Sequence, residues 1–162
     1  TTDQYTFTIP GISAATESVT YTVTVVSGNP SNHPSYNVGS SNKYAINGST
    51  ATADVELTFK VGSTYRFVQS DSSNSGHPLR FYTSADKTGG EYTTGVTTNG
   101  TAGSSGAYTE ITVASGAPST LFYQCSVHAN MGATITVTDI DPGLNTQFGG
   151  DIATVGPVTL EK

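Results

Sequence analysis

Apolar and polar residues alternate along much of the chain, whereas helical periodicity is almost absent. The clearest case is SVTYTVTVV at 18–26, which places Val19, Tyr21, Val23 and Val25 on one face. Seven further segments rich in β-branched and aromatic residues predict strands at 5–9, 54–59, 64–69, 78–83, 108–113, 120–125 and 133–138. Short strands in this number predict an all-β chain, folded as an antiparallel β-sandwich or barrel.

Turn-forming residues separate the predicted strands. KVGS at 60–63 is short enough to join 54–59 and 64–69 as a hairpin. SDSSNSG at 70–76 is a polar loop that ends in glycine. The segment 87–106 is rich in glycine and threonine and too polar for a core, so it predicts a surface loop or a flexible arm.

The length of 162 residues suits one domain with extensions. We assign the β-sandwich to 18–138, with an N-terminal extension at 1–17 and a C-terminal extension at 139–162. Each extension holds one strand candidate, 5–9 and 157–160, without an obvious place in a minimal sandwich. The first residue, a threonine, indicates either a removed leader or a larger precursor, and we expect a removed secretory leader.

Charge narrows the possible functions. Only 11% of the residues are charged, the net charge is −6, and the six basic residues are scattered, so we expect no nucleic-acid partner. No apolar run approaches the length of a membrane-spanning segment. The low charge and the abundance of threonine and serine favour a location outside the cytoplasm, in a periplasm, in the extracellular space or on a particle surface.

The only cysteine, the only methionine and one of the three histidines lie within seven residues. The predicted strand 120–125 runs into Cys125, and a tight loop carries His128 and Met131 at spacings of three and three. Such a loop can turn all three side chains toward one point, and Gly132 supplies the backbone freedom to leave it. A thiolate, an imidazole and a thioether form a soft ligand set of the type that copper prefers.

The blue-copper arrangement has two histidines and one cysteine in a plane, with a weak axial methionine. It therefore needs a second histidine beside the 125–131 loop. His77 lies at the entry to the predicted strand 78–83, and strand ends distant in sequence can meet at one pole of a sandwich. The sequence thus predicts one type 1 copper ion held by His77, Cys125, His128 and Met131.

Four segments carry a family resemblance: VGSTYRF (61–67), SGHPLRF (75–81), APSTLFYQCSVHANMG (117–132) and ITV (135–137). In these segments the chain resembles the cupredoxins, blue copper proteins of the plastocyanin and amicyanin kind, over roughly 43–138. The resemblance implies an antiparallel Greek-key β-sandwich, the four copper ligands named above, and one-electron transfer without enzymatic activity. A looser resemblance connects SNKYAING, SDSSNSGHPL and EYTTGV to cupredoxin-like domains of marine viral and bacterial surface or structural proteins.

Two functions stay open, because the chain departs from the electron carriers in its 87–106 insertion, its two extensions and its polar loop residues Ser126 and Asn130. In the first, the chain passes electrons through His128 to a redox partner protein. In the second, it is a structural subunit of a virion, filament or cell-surface assembly that retains the copper site. Its extensions would then add strands to neighbouring subunits.

Several residues also have simpler interpretations. Cys125 is either a ligand, a buried core cysteine or, with a histidine, a nucleophile, and Met131 is either an axial ligand or a packing residue. Zinc can also occupy such a site. His33 is interpreted as a loop histidine, and Asp71 and Asn74 as parts of an ordinary Asx turn rather than supports of the His77 loop.

Overall fold

The computed structural model describes residues 16–138, and these residues form nine short strands and two single-turn helices. The helices are α1 (Thr52–Val55) and a 3₁₀ helix at Ser72–Asn74. The strands are β1 (Ser18–Val26), β2 (Lys43–Ile46), β3 (Leu57–Lys60), β4 (Thr64–Val68), β5 (Leu79–Tyr82), β6 (Val96–Asn99), β7 (Tyr108–Thr112), β8 (Thr120–Cys125) and β9 (Thr134–Thr138). Between residues 16 and 138 there is no helix with the length and apolar character to cross a membrane.

The strands form two sheets, with the orders β2-β1-β4-β7-β6 and β3-β9-β8-β5. The predicted all-β class is confirmed for the described residues, and the two sheets are consistent with a sandwich. The predicted antiparallel pairing is confirmed for five of the seven strand pairs among the described residues. It is wrong for the other two, because β1 pairs with β4 and β3 pairs with β9 in parallel. Parallel neighbours need long crossover connections, and here the chain between them passes through the other sheet.

The predicted hairpin at 60–63 is wrong, because this turn carries the chain from one sheet to the other. Lys60 ends β3 and Thr64 begins β4, which lie in different sheets. Phe59 and Tyr65 then face each other across the core, with their rings stacked at 3.8 Å between centroids. A hairpin in one sheet would not have placed these two rings face to face across the core.

Three further differences concern element boundaries. The segment 54–59 begins as the end of helix α1, and its strand starts only at Leu57. Strand β2 is buried at all four positions, so it shows no alternation that would have predicted it. The segment 87–106 contains β6, a mostly exposed edge strand paired with β7, and is therefore more than a loop. The strand candidates at 5–9 and 157–160 lie outside the described residues.

The core is an aromatic cluster between the sheets. Phe67 of β4 lies at its centre, with ring centroids 6.2 Å from Phe59, 5.7 Å from Phe81 and 5.7 Å from Tyr123. These three neighbours belong to the opposite sheet, and all four rings are fully buried. Burial of such rings is the largest apolar contribution that holds the two sheets together.

The strand registers define two ends of the sandwich. At one end, which we call the cysteine pole, Val26 pairs with Lys43 and Leu79 pairs with Cys125. At the other end, the distal pole, Ser18 pairs with Thr64 and Lys60 pairs with Thr138. The described chain therefore enters and leaves at the distal pole, far from Cys125.

Truncation of Phe67 tests the packing between the sheets. We expect Phe67→Ala to lower the free energy of unfolding by about 3–5 kcal/mol, because the cavity left at the centre of the core cannot close. Denaturant unfolding measures this difference. Thr98→Ala, on the exposed edge strand β6, is the control and should cost less than about 0.5 kcal/mol. Equal costs for the two variants would contradict the central position of Phe67.

Candidate metal centre

Three of the predicted ligand residues converge at the cysteine pole. The Sγ of Cys125 lies 3.8 Å from Nδ1 of His77 and 3.6 Å from Nδ1 of His128. One ligand atom from each residue lies within 4.8 Å of the others, an arrangement that could hold a metal ion. His77 precedes β5, Cys125 ends β8, and His128 lies in the loop that follows.

These distances match the geometry of a shared metal ion. Metal ions bind imidazole nitrogen at about 2.0–2.1 Å and thiolate sulfur at about 2.3 Å. At bond angles between tetrahedral and trigonal, those lengths separate the nitrogen from the sulfur by about 3.6–3.8 Å. The two observed sulfur–nitrogen distances, 3.6 and 3.8 Å, agree with this separation. The group as a whole spans up to 4.8 Å, so the residues present fit a metal once the two imidazoles move closer together around it.

Burial differs among the three side chains. Cys125 is fully buried, His77 is partly buried and His128 is exposed. Burial, with a smaller contribution from the neighbouring His128, lowers the pKa of His77 below its usual value. The neutral imidazole that a metal ion requires is therefore favoured at His77.

Met131, the fourth predicted ligand, lies in the core. Its side chain is fully buried and belongs to the same apolar cluster as Cys125. Its backbone oxygen accepts a hydrogen bond of 2.7 Å from the Tyr44 backbone nitrogen, which fixes the end of the loop against β2. This burial agrees with a packing role and with an axial role, so the axial role stays a prediction.

The His77 backbone is held by two residues that the sequence analysis missed. The Gln69 side chain donates to the His77 carbonyl (2.9 Å) and accepts from the Leu79 nitrogen (2.9 Å). The Tyr44 hydroxyl donates to the same carbonyl at 2.7 Å, and burial raises its pKa well above the usual value, so it stays protonated. Gln69 comes directly after β4, at the next inward position after Tyr65 and Phe67. A polar residue at an inward position needs buried hydrogen-bond partners, and this was the sequence feature that could have identified Gln69.

Asp71 and Asn74, the two residues of the loop before His77 that were interpreted as an Asx turn, have different roles. Asp71 does form one, accepting from the Ser73 backbone nitrogen at 2.9 Å. Asn74 is instead fully buried, and its amide donates to the Val23 carbonyl at 2.8 Å. Its backbone oxygen accepts from the His77 nitrogen at 2.8 Å. Asn74 therefore anchors the His77 loop to β1, and its interpretation as an ordinary turn residue was wrong.

We call residues 125–132 the ligand loop. At its start the Ser126 nitrogen donates to the Pro78 carbonyl (2.9 Å), and at its end the Gly132 nitrogen donates to the Gln124 side chain (3.0 Å). Gly132 is required for a different reason than predicted, because a Cβ there would collide with the Tyr123 carbonyl. The left-handed backbone residue of the loop is Asn130, with φ 60°.

Comparison with protein-family models, with curated proteins and with solved structures gives no match to this chain. The geometry of His77, Cys125 and His128 is therefore the main structural indication of function.

The remaining histidine, His33, is not part of the metal group. It lies in the loop between β1 and β2, as predicted, but is only 2% exposed. Its Nδ1 accepts from the Ser35 nitrogen at 3.1 Å, whereas no group among residues 16–138 hydrogen-bonds its Nε2. Burial, with a smaller effect of the Lys43 charge, lowers the pKa of His33 to about 4.

This lowered pKa predicts a loss of stability in acid. The folded state keeps His33 neutral, so its contribution is complete above pH 6.5 and disappears as the pH falls toward 4. The free energy of unfolding should fall by up to about 3 kcal/mol more in the wild type than in His33→Gln over this range. Denaturant unfolding of the metal-free proteins at several pH values measures the difference. Parallel curves for the two proteins would show that His33 does not exclude a proton.

Proposed function

We propose that the chain is a cupredoxin-like electron carrier that binds one type 1 copper ion. His77, Cys125 and His128 are the strong ligands, and Met131 is the weak axial ligand. The observation that carries this proposal is the approach of two imidazole nitrogens, to 3.8 and 3.6 Å, to one buried sulfur. Two histidines and one cysteine are the planar set of blue-copper sites.

The donor set favours copper over zinc. Structural zinc sites use four strong ligands, and the described residues bring together three. The fourth candidate, Met131, offers a thioether, which is a soft and weak donor suited to copper. A buried thioether in the same apolar cluster as the cysteine therefore supports copper, although the same three strong ligands accept zinc.

The protein's contribution to electron transfer is a rigid set of ligands. A bound copper ion supplies the one-electron chemistry by alternating between its Cu(I) and Cu(II) states. Hydrogen bonds from Gln69 and Tyr44 hold the backbone of His77, while Cys125 lies in the paired strand β8. Donor atoms held in this way move little when the charge at the site changes, which favours rapid electron exchange.

The exposed His128 supports a route for electrons to a redox partner protein. It lies at the protein surface beside Val127, whose side chain is 62% exposed. A partner that docks there would contact a ligand ring directly. Cys125, in contrast, is fully buried, so a substrate has no access to it as a nucleophile, and we propose no enzymatic activity.

Copper loading tests the proposal directly. We expect one copper equivalent per chain and an intense visible absorption, because a cysteine thiolate bound to Cu(II) gives a charge-transfer band. Cys125→Ser should abolish the band, and His77→Ala should weaken copper binding by at least about tenfold. His33→Gln, which changes a histidine outside the cluster, is the matched control and should retain both properties. A colourless loaded protein whose Cys125 still reacts as a free thiol would refute the proposal.

One observation favours the second function, a structural subunit. Residues 17 and 138 lie together at the distal pole, where the Val61 nitrogen donates to the Thr138 carbonyl and Lys60 approaches Glu17. In this role the segments that attach at this pole would contact neighbouring subunits of a virion, filament or cell-surface layer. In either role we propose a location outside the cytoplasm, as the low charged fraction of 11% indicates.

Removal of residues 1–15 and 139–162 distinguishes the two functions. We expect the truncated and full-length chains to bind copper with the same affinity and to be monomeric by size-exclusion chromatography with light scattering. The ligands lie at the opposite pole from residues 17 and 138, next to which the removed segments attach. An assembled full-length chain that becomes monomeric on truncation would instead establish the structural role.

A further inference from the structure

We propose that the ammonium groups of Lys43 and Lys87 clamp the ligand loop at its two ends and thereby preorganise it for metal binding. The inference rests on the proposed copper site and names residues outside the ligand set that position it. Lys87 holds the beginning of the loop, and Lys43 holds its end.

Lys87 reaches the loop from the insertion that follows β5. Its Nζ donates to the carbonyls of Cys125 (3.2 Å) and Ser126 (3.0 Å). Its backbone is in the left-handed region at φ 70°, which glycine or asparagine usually occupies and which strains a lysine. The turn is fixed by a hydrogen bond of 2.6 Å from the Thr83 hydroxyl to the Gly89 carbonyl. A strained backbone that aims a charged side chain at a ligand residue indicates a use for that side chain.

Lys43 reaches the other end of the loop from inside the protein. It is fully buried at the start of β2, and its Nζ donates to the carbonyls of Val38 and Asn130, both at 2.7 Å. Burial lowers its pKa, because removal from water disfavours the charged form. Buried ammonium groups are rare because their desolvation is costly, and an apolar side chain would avoid that cost. The two short, charge-assisted hydrogen bonds offset it and join two loops.

The remaining carbonyls show how completely the loop is held. Ala129 accepts from the Ser40 nitrogen (3.1 Å), Met131 from the Tyr44 nitrogen (2.7 Å) and Gly132 from the Ser35 hydroxyl (3.4 Å). With the three carbonyls bound by lysine, this leaves only those of Val127 and His128 without a donor from residues 16–138. The loop is thus fixed on both sides of the exposed His128.

A loop fixed before the metal arrives loses less conformational entropy on binding. The imidazole of His128 and the side chain of Met131 depend on the backbone of this loop for their positions. Removing either ammonium group should therefore loosen the loop and weaken metal binding without removing a ligand. A positive charge beside the loop also favours the less positive, reduced state of the site.

Hydrogen exchange of the metal-free, full-length protein tests the clamp first. The Ser126 and Gly132 amides are hydrogen-bonded at the two ends of the loop, so their exchange reports its opening. We expect Lys43→Met and Lys87→Met to accelerate this exchange at least about tenfold, because each variant loses two hydrogen bonds and the loss of one accounts for up to about tenfold. Lys60→Met, an exposed lysine at the distal pole, makes the same charge change and should leave the exchange unchanged. Unchanged exchange in both loop variants would overturn the clamp.

Copper binding tests whether the clamp formed by the two lysines serves metal binding. We expect about tenfold weaker Cu(II) affinity, a changed visible spectrum and a lower reduction potential in Lys43→Met and Lys87→Met, but not in Lys60→Met. Lys87→Arg should restore the wild-type values, because a guanidinium can donate to both carbonyls. Wild-type affinity, spectrum and potential in both loop variants would overturn the positioning role.

The controls separate the two proposals. A wild-type protein that binds no copper refutes the proposed function, whereas the exchange data still decide whether the lysines hold the loop. If Lys43→Met does not fold, Lys87→Met and Lys87→Arg decide the question alone, since Lys87 lies near the surface.

Discussion

The register between β5 and β8 is the constraint on which the candidate site depends. Leu79 pairs with Cys125, and the Ser126 nitrogen donates to the Pro78 carbonyl at 2.9 Å, so His77 is carried to the cysteine sulfur. A slip of one residue would turn Cys125 to the other face of the sheet and separate the three donors. The aromatic core secures this register, because Phe81 of β5 and Tyr123 of β8 both pack against Phe67 of the opposite sheet.

The cysteine pole differs from the rest of the interior in its chemistry. The centre of the sandwich is aromatic, whereas the buried polar residues Gln69, Asn74, Gln124 and Lys43 surround the ligand residues. Gln69, Gln124 and Lys43 bond to the backbone of the segments that carry the ligands, and Asn74 ties the loop before His77 to the Val23 carbonyl of β1. Buried polar groups fix geometry only when they have partners, and here those partnerships hold the ligand-bearing segments. Rigidity at this pole is therefore a property of hydrogen bonding added to apolar packing.

This arrangement connects the fold to the proposed electron transfer. The donors come from one paired strand and two braced loops, and the imidazole of His128 is the most exposed of the three donor side chains. The insertion after β5, which the sequence predicts to be a surface loop or a flexible arm, contributes Lys87 to the ligand loop. The described chain begins and ends at the distal pole, at the opposite end of the sandwich from the donors.

The sequence by itself determined the elements whose side chains alternate and the residues that carry the chemistry. The strands at 18–26 and 120–125 and the grouping of His77 with Cys125 and His128 follow from local pattern and ligand chemistry. Only the tertiary structure decided which sheet each strand joins, why 60–63 is a crossover, and that Lys43 and Lys87 hold the ligand loop. The physical reason is that alternation reports which face of a strand is buried but not its neighbour. Strand pairing and buried polar contacts are set by residues distant in sequence, which meet only once the core has formed.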